Sequence, residues 1–569
     1  MRKDIDRIIR IISTAAFGLA VMLFFGIAFP NHIASQEQFQ LFEWTGKYFA
    51  DVVCVPGGFA DWAGRLLTQF FIIPWLGAAI TALLLCSMQG LAAKLTGAES
   101  LTVYACSFIP AVSAVLFLCD SKALLGGPVA LVLCLAFSLL TGKVRHKGLR
   151  TVVSILLAPV MYWLCGPLAI VFVAGCAIQS GILAAIPGLA ILAACPFVLQ
   201  GQLHCTLADL LEGVHYYRYP ETFPTILWVT AALLIVYLIA GAFRYRPVKK
   251  PIAAAIITTA VIFIGGAAAV AVTADFEEET LMHYDQLTRN QQWNKVIRLS
   301  HRKPADKPFS VCCVNLAQAM TGTLGDHLFE QQQGGTSGLF PKFAKSATNP
   351  LPASEAFWQL GLVNACQYYT FEAQEAIADF QKSGRCYKRL AQTNIVNHDY
   401  EVARKYLSAL EHTLFYRGWA KKTLALLKDE TSVEADPVYG RMRAVRSHDK
   451  DEIFSEDRID VLLGYLVEEN PSNSLALEYL LSYELLDNNL NNFWYYLQNY
   501  QDARLPRYYQ EGVLMLWVDK GMSLQSLPPY ISSSNVKRFQ TFIHDMQAGM
   551  REEQLQKKYG NTFYFYATR

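Results

Sequence analysis

Long apolar runs recur through the first 274 residues, and they constrain the fold of this chain more than any other feature. A helix needs about 20 apolar residues to cross the hydrocarbon core of a bilayer. We therefore predict nine membrane-spanning segments, at approximately 11–29, 69–92, 101–118, 123–141, 150–165, 167–180, 183–199, 225–243 and 252–273. Because residues 151–200 contain no charged side chain, that stretch is compatible with two long helices, three short helices or a re-entrant pair around Gly166-Pro167 and Gly181.

Charge divides the chain into two halves of different character. Residues 1–274 contain 17 lysines and arginines and 11 aspartates and glutamates, whereas residues 275–569 contain 32 and 36. The first composition is typical of a membrane protein and the second of a soluble domain. The sequence therefore predicts an all-α protein with a polytopic membrane domain over 1–274 and a polar domain over 275–569, and it excludes a soluble enzyme and a disordered scaffold. A net charge of +2 gives no electrostatic reason to expect nucleic-acid binding.

The basic residues of the membrane half predict its orientation, because cytoplasmic loops carry an excess of lysine and arginine. A cytoplasmic N-terminus places 13 of the 17 basic residues inside the cell. These residues are Arg2, Lys3, Arg7, Arg10, Lys94, Lys143, Arg145, Lys147, Arg150, Arg244, Arg246, Lys249 and Lys250. The arrangement needs an odd number of spans between Arg150 and Gln200. We predict a multi-pass protein of a bacterial inner membrane, with a periplasmic domain over 275–569.

Three polar breaks in the second half resemble one another. The segments 290–297, 397–403 and 488–493 each place a polar turn shortly before an aromatic residue that opens the next helix. With the small residue Ala403, this pattern resembles the second half of a tetratricopeptide (TPR) repeat, although no strict period of about 34 residues is kept. We predict a TPR-like helical array over roughly 280–550, with a bundle without repeats as the alternative. The resemblance implies a concave face that binds a peptide or a protein.

Several aromatic residues of this half are predicted to lie in the cores of the hairpins rather than on a binding face. They are Tyr368, Tyr369, Trp494, Tyr495 and Tyr496.

The first outer loop, residues 30–68, combines an apolar helix face with charged side chains. The apolar face comprises Leu41, Phe42, Phe49, Val52 and Val53. This pattern predicts an amphipathic helix that lies at the outer surface of the membrane. The sequence Pro56-Gly57-Gly58 then ends the helix and turns the chain toward the second span.

A carboxylate soon after the first span, an interfacial helix and a Gly/Pro turn together resemble the first outer loop of GT-C-type membrane glycosyltransferases. In that superfamily an acidic residue early in the loop acts as base or metal ligand, while a polyprenyl-linked sugar donor lies in the outer leaflet. The resemblance implies that Glu37 is the catalytic carboxylate and that Asp51 and Asp61 are secondary candidates. It leaves open whether a divalent metal serves as a cofactor. The acidic pair frequent in the family is replaced here by Gln36-Glu37. Some members of the superfamily also join this membrane fold to a TPR domain.

Moving a sugar from a lipid phosphate to a hydroxyl needs a base for the acceptor proton and a cation for the departing phosphate. On the outer side of the membrane half, the predicted orientation leaves the cations Lys47, Arg65, Lys122 and Arg218. Arginine suits phosphate better than lysine because its planar guanidinium donates two parallel hydrogen bonds. We therefore predict that Arg65 and Arg218, with Lys47, bind the lipid phosphate of the donor.

The second outer loop, residues 201–224, concentrates ionisable side chains after a long stretch without a carboxylate. This polar cluster consists of His204, Asp209, Glu212 and His215. Two histidines and two acids can form a metal site, but no diagnostic metal spacing is present. The tyrosines beside them are equally typical of an interfacial belt.

Together these features predict a membrane glycosyltransferase that uses a polyprenyl-phosphate-linked sugar at the outer face. Its partners are membrane lipid, that donor and a peptide or protein acceptor recruited by the TPR-like domain. The alternative is a non-enzymatic, membrane-anchored assembly or scaffold protein of the cell envelope. A transporter is disfavoured because the predicted spans carry almost no ionisable side chain.

Overall fold

A computed structural model describes residues 2–98, 100–181, 185–219, 222–243, 251–378, 381–446, 458–502 and 504–569. The chain folds into two compact units. The first unit contains Met1–Glu279, Ala378–Gly384 and His412–Arg417, and the second contains Thr280–Ile377, Arg385–Glu411 and Gly418–Arg569. The described residues form helices and turns without a β-strand, which confirms the all-α prediction for this part of the chain.

The helices of the first unit follow the apolar pattern of the sequence. They are α1 (Arg2–Leu23), α2 (Pro30–Gln38), α3 (Gly46–Val53), α4 (Gly58–Thr68), α5 (Pro74–Leu95), α6 (Leu101–Cys106), α7 (Phe108–Leu118), α8 (Gly126–Thr141), α9 (Lys147–Cys165), α10 (Ile170–Ser180), α11 (Ala185–Leu199), α12 (Leu207–Glu212), α13 (Thr225–Ala242) and α14 (Pro251–Thr273). A π-helical turn, Phe24–Ala28, continues α1, and a 3₁₀ turn, Gly166–Ala169, separates α9 from α10. Proline opens α2, α5 and α14, where its missing N–H costs no hydrogen bond.

Five helical stretches of the described chain are long and apolar enough to cross a membrane. They are Asp4–Ala28, Pro74–Leu95, Leu101–Leu118, Lys147–Ser180 and Pro251–Thr273. Shorter apolar helices of the first unit are Gly126–Thr141, Ala185–Leu199 and Thr225–Gly241. These helices support a membrane protein, whereas the count of nine spans stays a prediction.

The sequence allows several arrangements for residues 151–200, and the structure shows three helices, α9, α10 and α11. A helix cannot continue through Gly166, whose φ of +64° and ψ of −155° lie outside the helical region. The Arg150 guanidinium, near the start of α9, donates a hydrogen bond of 2.9 Å to the carbonyl of Gln179, near the end of α10. This contact makes α9 and α10 antiparallel, and α11 packs against both.

Other contacts of the first unit show that its long helices alternate in direction. Arg10, near the start of α1, donates to the carbonyl of Ala98, just after α5, and Gln179 donates to the carbonyl of Ser138 near the end of α8. Arg10 and Arg150 therefore share one end of the bundle, as the charge pattern predicts. The side of the membrane that this end faces stays a prediction, and the basic cluster 244–250 lies outside the described residues.

The opposite end of the bundle gathers the two polar loops. The N–H of Gly57 donates to the carbonyl of Trp163 (2.8 Å), and the Tyr216 hydroxyl donates to the carbonyl of Cys165 (2.5 Å). A Cβ atom on Gly166 would lie 2.6 Å from the Tyr216 hydroxyl oxygen. This turn therefore requires glycine for two reasons: there is no room for a side chain, and φ is positive. The turn between α9 and α10 is therefore locked to both polar loops.

The second unit consists of short helices joined by tight turns. In the described residues they are α15 (Phe276–Arg289, which begins in the first unit), α16 (Trp293–Arg302), α17 (Pro308–Met320), α18 (Leu324–His327), α19 (Leu351–Leu360), α20 (Val363–Glu375), α21 (Gly384–Val396), α22 (Tyr400–Glu411), α23 (Arg417–Leu426), α24 (Glu430–Glu434), α25 (Tyr439–Val445), α26 (Ile459–Glu469), α27 (Ser474–Leu486), α28 (Leu490–Leu497), α29 (Arg507–Asp519), α30 (Ser533–Gln547), α31 (Glu552–Tyr559) and α32 (Phe563–Ala567).

The three polar breaks that resemble one another in sequence also share one conformation. Gln291, His398 and Asn488 have φ values of 54°, 65° and 56°, in the left-handed region. In each break the next N–H donates to a carbonyl five residues earlier, at 2.8–2.9 Å, which is the long hydrogen bond of a Schellman turn. Ala403 is fully buried, as close packing of a hairpin requires. TPR repeats as such stay a prediction.

The aromatic residues predicted for the hairpin cores are only partly buried. Tyr369 is 1% exposed, but Tyr368 is 42% and Tyr495 is 63% exposed. Trp494 and Tyr496 are half-buried. The core prediction is therefore wrong for Tyr368 and Tyr495, because neighbouring residues on a helix point in directions about 100° apart and cannot all face inward.

The titration of Glu484 should make the stability of the second unit depend measurably on pH. Burial, and then the charge of Asp460, raise the pKa of Glu484 from 4.5 to about 7. A carboxyl whose pKa is raised on folding stabilises the fold most when it is protonated, so stability falls as the pH rises from about 4.5 to about 7. We expect Glu484→Gln to raise the stability above pH 7 by about 1–2 kcal/mol and to reduce this fall.

Thermal unfolding of the purified full-length chain between pH 5 and pH 8 measures the effect. The matched control is Glu434→Gln, which removes an exposed carboxylate and should leave the profile unchanged. An identical pH profile for Glu484→Gln and the wild type would contradict the assignment.

Candidate functional site

Asp61 and Arg65 form a buried ion pair on α4 at the end of the bundle that holds the polar loops. The two residues are one helical turn apart, and Arg65 Nη2 lies 2.6 Å from Asp61 Oδ2. The same carboxylate oxygen lies 3.4 Å from Nδ1 of His215. Arg65 also donates through Nη1 to Gln381 Oε1 (2.6 Å). Burial alone would lower the pKa of Arg65, but the charge of Asp61 raises it, so the guanidinium stays protonated.

The packing of α4 against α8 explains why His215 reaches Asp61. A Cβ atom on Gly64 would lie 2.6 Å from the backbone nitrogen of Gly126, so only glycine allows this crossing. A Cβ atom on Gly126 would in turn lie 3.1 Å from both the Cα of Asp61 and the carbonyl oxygen of His215. Two small residues thus bring the second polar loop against the Asp61 backbone.

Arg218 is fixed by the backbone of the second polar loop. Its N–H donates to the carbonyl of Lys122 (2.8 Å), and the N–H of Leu124 donates to the carbonyl of Tyr216 (3.0 Å). These bonds form an isolated antiparallel bridge between the two segments. The position of Arg218 is therefore set by main-chain contacts and does not depend on an ion pair.

The direct hydrogen-bond partners of the buried Arg218 guanidinium are neutral, and the carboxylates of Glu278 and Asp120 act on it only from beyond ion-pair distance. Its Nη2 atom donates to Gln36 Oε1 (2.7 Å) and to the carbonyl of Ser121 (3.3 Å), and its central carbon lies 4.1 Å from the centre of the Phe39 ring. Among the described residues, no carboxylate lies within ion-pair distance of it. Burial lowers the pKa of Arg218 to about 10, so the side chain still carries its charge at neutral pH.

Helix α2 supplies a face of polar side chains to the same region. His32 Nε2 lies 2.9 Å from the carbonyl of Leu118, and Gln36 Nε2 donates to the carbonyl of Ser121 (2.9 Å). One turn further on, Gln40 donates to the carbonyl of Arg65 (2.9 Å). Burial lowers the pKa of His32 to about 4, so this imidazole is neutral at physiological pH.

The start of α2 is held by a carboxylate from the far end of the first unit. Glu279 Oε1 accepts hydrogen bonds from the backbone N–H (2.9 Å) and the side-chain amide (2.6 Å) of Asn31, and Oε2 accepts from the N–H of His32 (2.7 Å). A carboxylate at a helix N-terminus satisfies unpaired N–H groups and complements the helix dipole. Glu279 thereby fixes the helix that positions His32 and Gln36.

Asp61, Arg65, Arg218, His32 and Gln36 line one enclosed cavity of about 40 Å³. Gln40 and Gln381 complete its polar wall, and the Phe39 ring lines it beside Arg218. A cavity needs roughly 10–15 Å³ of such volume to hold one water molecule, so this one accommodates a few atoms of that size. We name it the site cavity. Of the residues predicted from the sequence, it brings together Asp61, Arg65 and Arg218, with His215 at its edge beside Asp61.

Glu37, the carboxylate that the resemblance favours, faces a different part of the unit. It is buried, and it lines a separate cavity of about 10 Å³ with Phe42, Gln69 and residues 413–416. Gln36 and Glu37 are neighbours on α2 and therefore point in different directions. The structure places Gln36, and not Glu37, beside Arg218.

The remaining predicted site residues lie outside the site cavity. Lys47, Asp51, His204 and Glu212 are exposed. Asp209 caps α12, since its carboxylate accepts from the N–H of Thr206 (2.9 Å) while the Thr206 hydroxyl accepts from the N–H of Asp209 (3.1 Å). The polar cluster of the second loop is thus dispersed, and only His215 turns toward Asp61.

The amphipathic helix of the first loop is shorter than predicted. It spans only α3, because the Thr45 hydroxyl accepts from the N–H of Tyr48 and caps the helix there. Leu41 and Phe42 precede the cap and are buried, whereas Phe49 on α3 is 41% exposed. The prediction of one continuous apolar face is therefore wrong for Leu41 and Phe42.

Comparison with known proteins gives one result. A family model described as a family of unknown function, DUF6057, matches residues 7–569. The chain belongs to DUF6057. No curated protein and no solved structure matches it.

A metal does not fit the site of this DUF6057 member as the described residues arrange it. They contain no group of three or more His, Cys, Asp and Glu side chains that could hold a metal ion. We therefore derive no step through a metal.

The sequence analysis of this DUF6057 chain misses several polar residues of the site cavity, among them His32 and Gln381. His32 carries a weak signal, because it is an ionisable side chain directly after the first span. Gln381 carries none, because 316 positions separate it from Arg65.

Proposed function

We propose that this protein is a membrane transferase of the GT-C glycosyltransferase type that acts on a polyprenyl-phosphate-linked sugar. In this proposal the site cavity binds the phosphate of the donor, and Asp61 takes the proton of the acceptor hydroxyl. The observation that carries the proposal is the combination, in one cavity, of a buried guanidinium that has no ion-pair partner among the described residues and a buried carboxylate beside an imidazole.

Arg218 supports the assignment of the ligand as an anion. Burying a charge without a counter-ion costs roughly several kcal/mol of free energy. Binding of an anion beside that charge offsets part of this cost. The neutral donors and acceptors around Arg218 orient the guanidinium but do not neutralise it. The small volume of the cavity suits a phosphate group and not a sugar ring, so the sugar and the acceptor would lie at its mouth.

The chemistry follows from this arrangement. The acceptor hydroxyl oxygen forms the new bond to the anomeric carbon, and the bond between that carbon and the phosphate oxygen breaks. The electron pair of the broken bond leaves with the lipid phosphate, whose added charge Arg218 stabilises. The hydroxyl proton passes to the Asp61 carboxylate, and the adjacent His215 provides a second group that can hold or return it.

Binding of the lipid phosphate tests the proposal without knowledge of the sugar. The full-length chain in lipid nanodiscs is titrated with a polyprenyl phosphate and, separately, with the corresponding uncharged polyprenol. We expect saturable binding of the phosphate only, and we expect Arg218→Gln to weaken it at least tenfold, because the charge-assisted contact is lost.

Lys122→Gln is the matched control, since it removes an exposed cation next to the same loop and should leave binding unchanged. Equal binding of phosphate and alcohol, or equal loss in the two variants, would overturn the anion site. A chain that binds neither lipid would instead favour the non-enzymatic scaffold.

A further inference from the structure

A second cavity, of about 680 Å³, lies in the second unit close to the C-terminus. Its volume falls within the range of roughly 300–1,000 Å³ that is typical of small-molecule sites. It is lined by the segment 329–333, by residues at the end of α27 and by α31 and α32. We name it the C-terminal cleft. Nothing in the function proposed above uses it.

The charged side chains of the C-terminal cleft are already paired. Glu330 Oε1 lies 2.9 Å from Nδ1 of His327, and Arg569 Nη2 lies 3.1 Å from Glu552 Oε1. Both charged groups that line the cleft among the described residues therefore already have a polar partner, and the contact of Glu330 is an ion pair only when His327 is protonated. The cleft therefore favours a neutral ligand.

Amide side chains supply the available hydrogen-bonding groups of the cleft. The side-chain amides of Gln331, Gln332 and Gln556 form no hydrogen bond with any described residue. Each amide offers two N–H donors and a carbonyl acceptor. Gln333 is oriented differently, because it donates to the carbonyl of Leu328 (2.6 Å) and exchanges hydrogen bonds with Asn315. The cleft thus contains the Gln333 amide, whose orientation is fixed by hydrogen bonds, and three amides without a hydrogen-bond partner among the described residues.

A rigid aromatic group forms the other wall. The Tyr566 hydroxyl donates to the carbonyl of Leu486 (2.7 Å), which fixes the ring. The Phe329 ring lies 4.9 Å from the Tyr566 ring and 5.6 Å from the Phe563 ring. Tyr566 is half-buried, so one part of its ring reaches the cleft.

We infer that the C-terminal cleft binds a neutral oligosaccharide. Every sugar hydroxyl both donates and accepts a hydrogen bond, as every carboxamide does, so the two match without any charge. The C–H faces of a sugar ring are apolar and pack against an aromatic face such as that of Tyr566. Ordered aromatic and amide groups reduce the entropy that binding costs.

Saturation-transfer NMR of the full-length chain in nanodiscs tests this inference. The probes are maltotetraose, cellotetraose and chitotetraose, with trigalacturonate as a charged sugar and a capped Ser-Gly hexapeptide as a neutral peptide. We expect saturation transfer to at least one neutral tetrasaccharide and none to the charged sugar or the peptide.

The triple variant Gln331→Ala, Gln332→Ala, Gln556→Ala removes only exposed or half-exposed amides, and it should weaken tetrasaccharide binding at least tenfold. Gln540→Ala, an exposed amide on α30 outside the cleft, is the control and should bind like the wild type. No binding of any neutral tetrasaccharide, equal binding by the triple variant, or a stronger response to the peptide would overturn the inference. None of these outcomes depends on transferase activity or on the site cavity.

Discussion

Asp61→Asn should reduce sugar transfer from a polyprenyl-phosphate donor by about 10²–10⁴-fold, the usual contribution of a general base. Asparagine keeps the size of the side chain and its contact with Arg65, but it cannot take the proton of the acceptor. Because Arg218 remains and Arg65 loses its counter-ion, binding of the lipid phosphate should not weaken relative to the wild type. The measurement is transfer by the purified chain in liposomes, with lipid binding recorded on the same preparation.

Glu37→Gln separates this assignment from the one implied by the GT-C resemblance. Glu37 lines a different cavity, so its replacement should leave most of the transfer activity. Asp51→Asn removes an exposed carboxylate of the same loop and controls for general loss of charge. If Glu37→Gln abolishes transfer while Asp61→Asn remains active, Glu37 is the base and our reading of the site cavity is wrong. Retained lipid binding in Asp61→Asn also shows that the variant is folded.

Arg385→Met should destabilise the second unit by about 3–5 kcal/mol, because it leaves the buried Asp285 carboxylate without its counter-ion, whereas Glu355 keeps its ion pair with Arg389. The Arg385 guanidinium donates two hydrogen bonds to the carboxylate of Asp285, at 2.6 and 2.9 Å, and lies 3.6 Å from Glu355. Burial alone would lower the pKa of Arg385, but the charge of Asp285 raises it above its ordinary value. Thermal unfolding of the full-length chain measures the loss.

Two further variants determine whether the charge is the cause. Arg404→Met removes an arginine whose partner Glu401 is exposed, and it should change stability by less than about 1 kcal/mol. Arg385→Met combined with Asp285→Leu removes both members of the main pair and should recover part of the loss. A double variant as unstable as Arg385→Met would contradict the ion-pair explanation and indicate a packing defect.

The sequence predicts the class of the fold well, because helices and spans depend on local patterns. The predicted apolar spans of residues 1–274 coincide with helices α1, α5 to α11, α13 and α14, and Arg10 and Arg150 share one end of the bundle. The breaks at Gln291, His398 and Asn488 are recognisable because each is a local turn. The helix ends of the first outer loop are less predictable, since one capping hydroxyl, that of Thr45, decides where α3 begins.

The sequence predicts which types of side chain form the candidate site, but not which of them contact one another. Arg65 and Arg218 stand out as arginines of the outer loops, and the i,i+4 spacing of Asp61 and Arg65 is compatible with an ion pair on one helix. Nothing in the sequence shows that Arg218 has no ion-pair partner among the described residues, because its position depends on the distant bridge beside Lys122. The approach of His215 to Asp61 likewise depends on the Gly64–Gly126 crossing. The resemblance favours Glu37 as the catalytic carboxylate because it follows the first predicted span, but the direction of its side chain depends on how α2 is rotated about its axis.

The carboxylate of Glu279 has a mechanical consequence for the site cavity. Glu279 lies in the first turn of α15, and three turns of that same helix follow it. A rotation or pull on α15 that withdraws Glu279 would remove the acceptor for the N–H groups of Asn31 and His32. The first turn of α2 would then loosen, and with it the position of Gln36 against Arg218. The first turn of α15 therefore helps to hold the Gln36 amide against the Arg218 guanidinium.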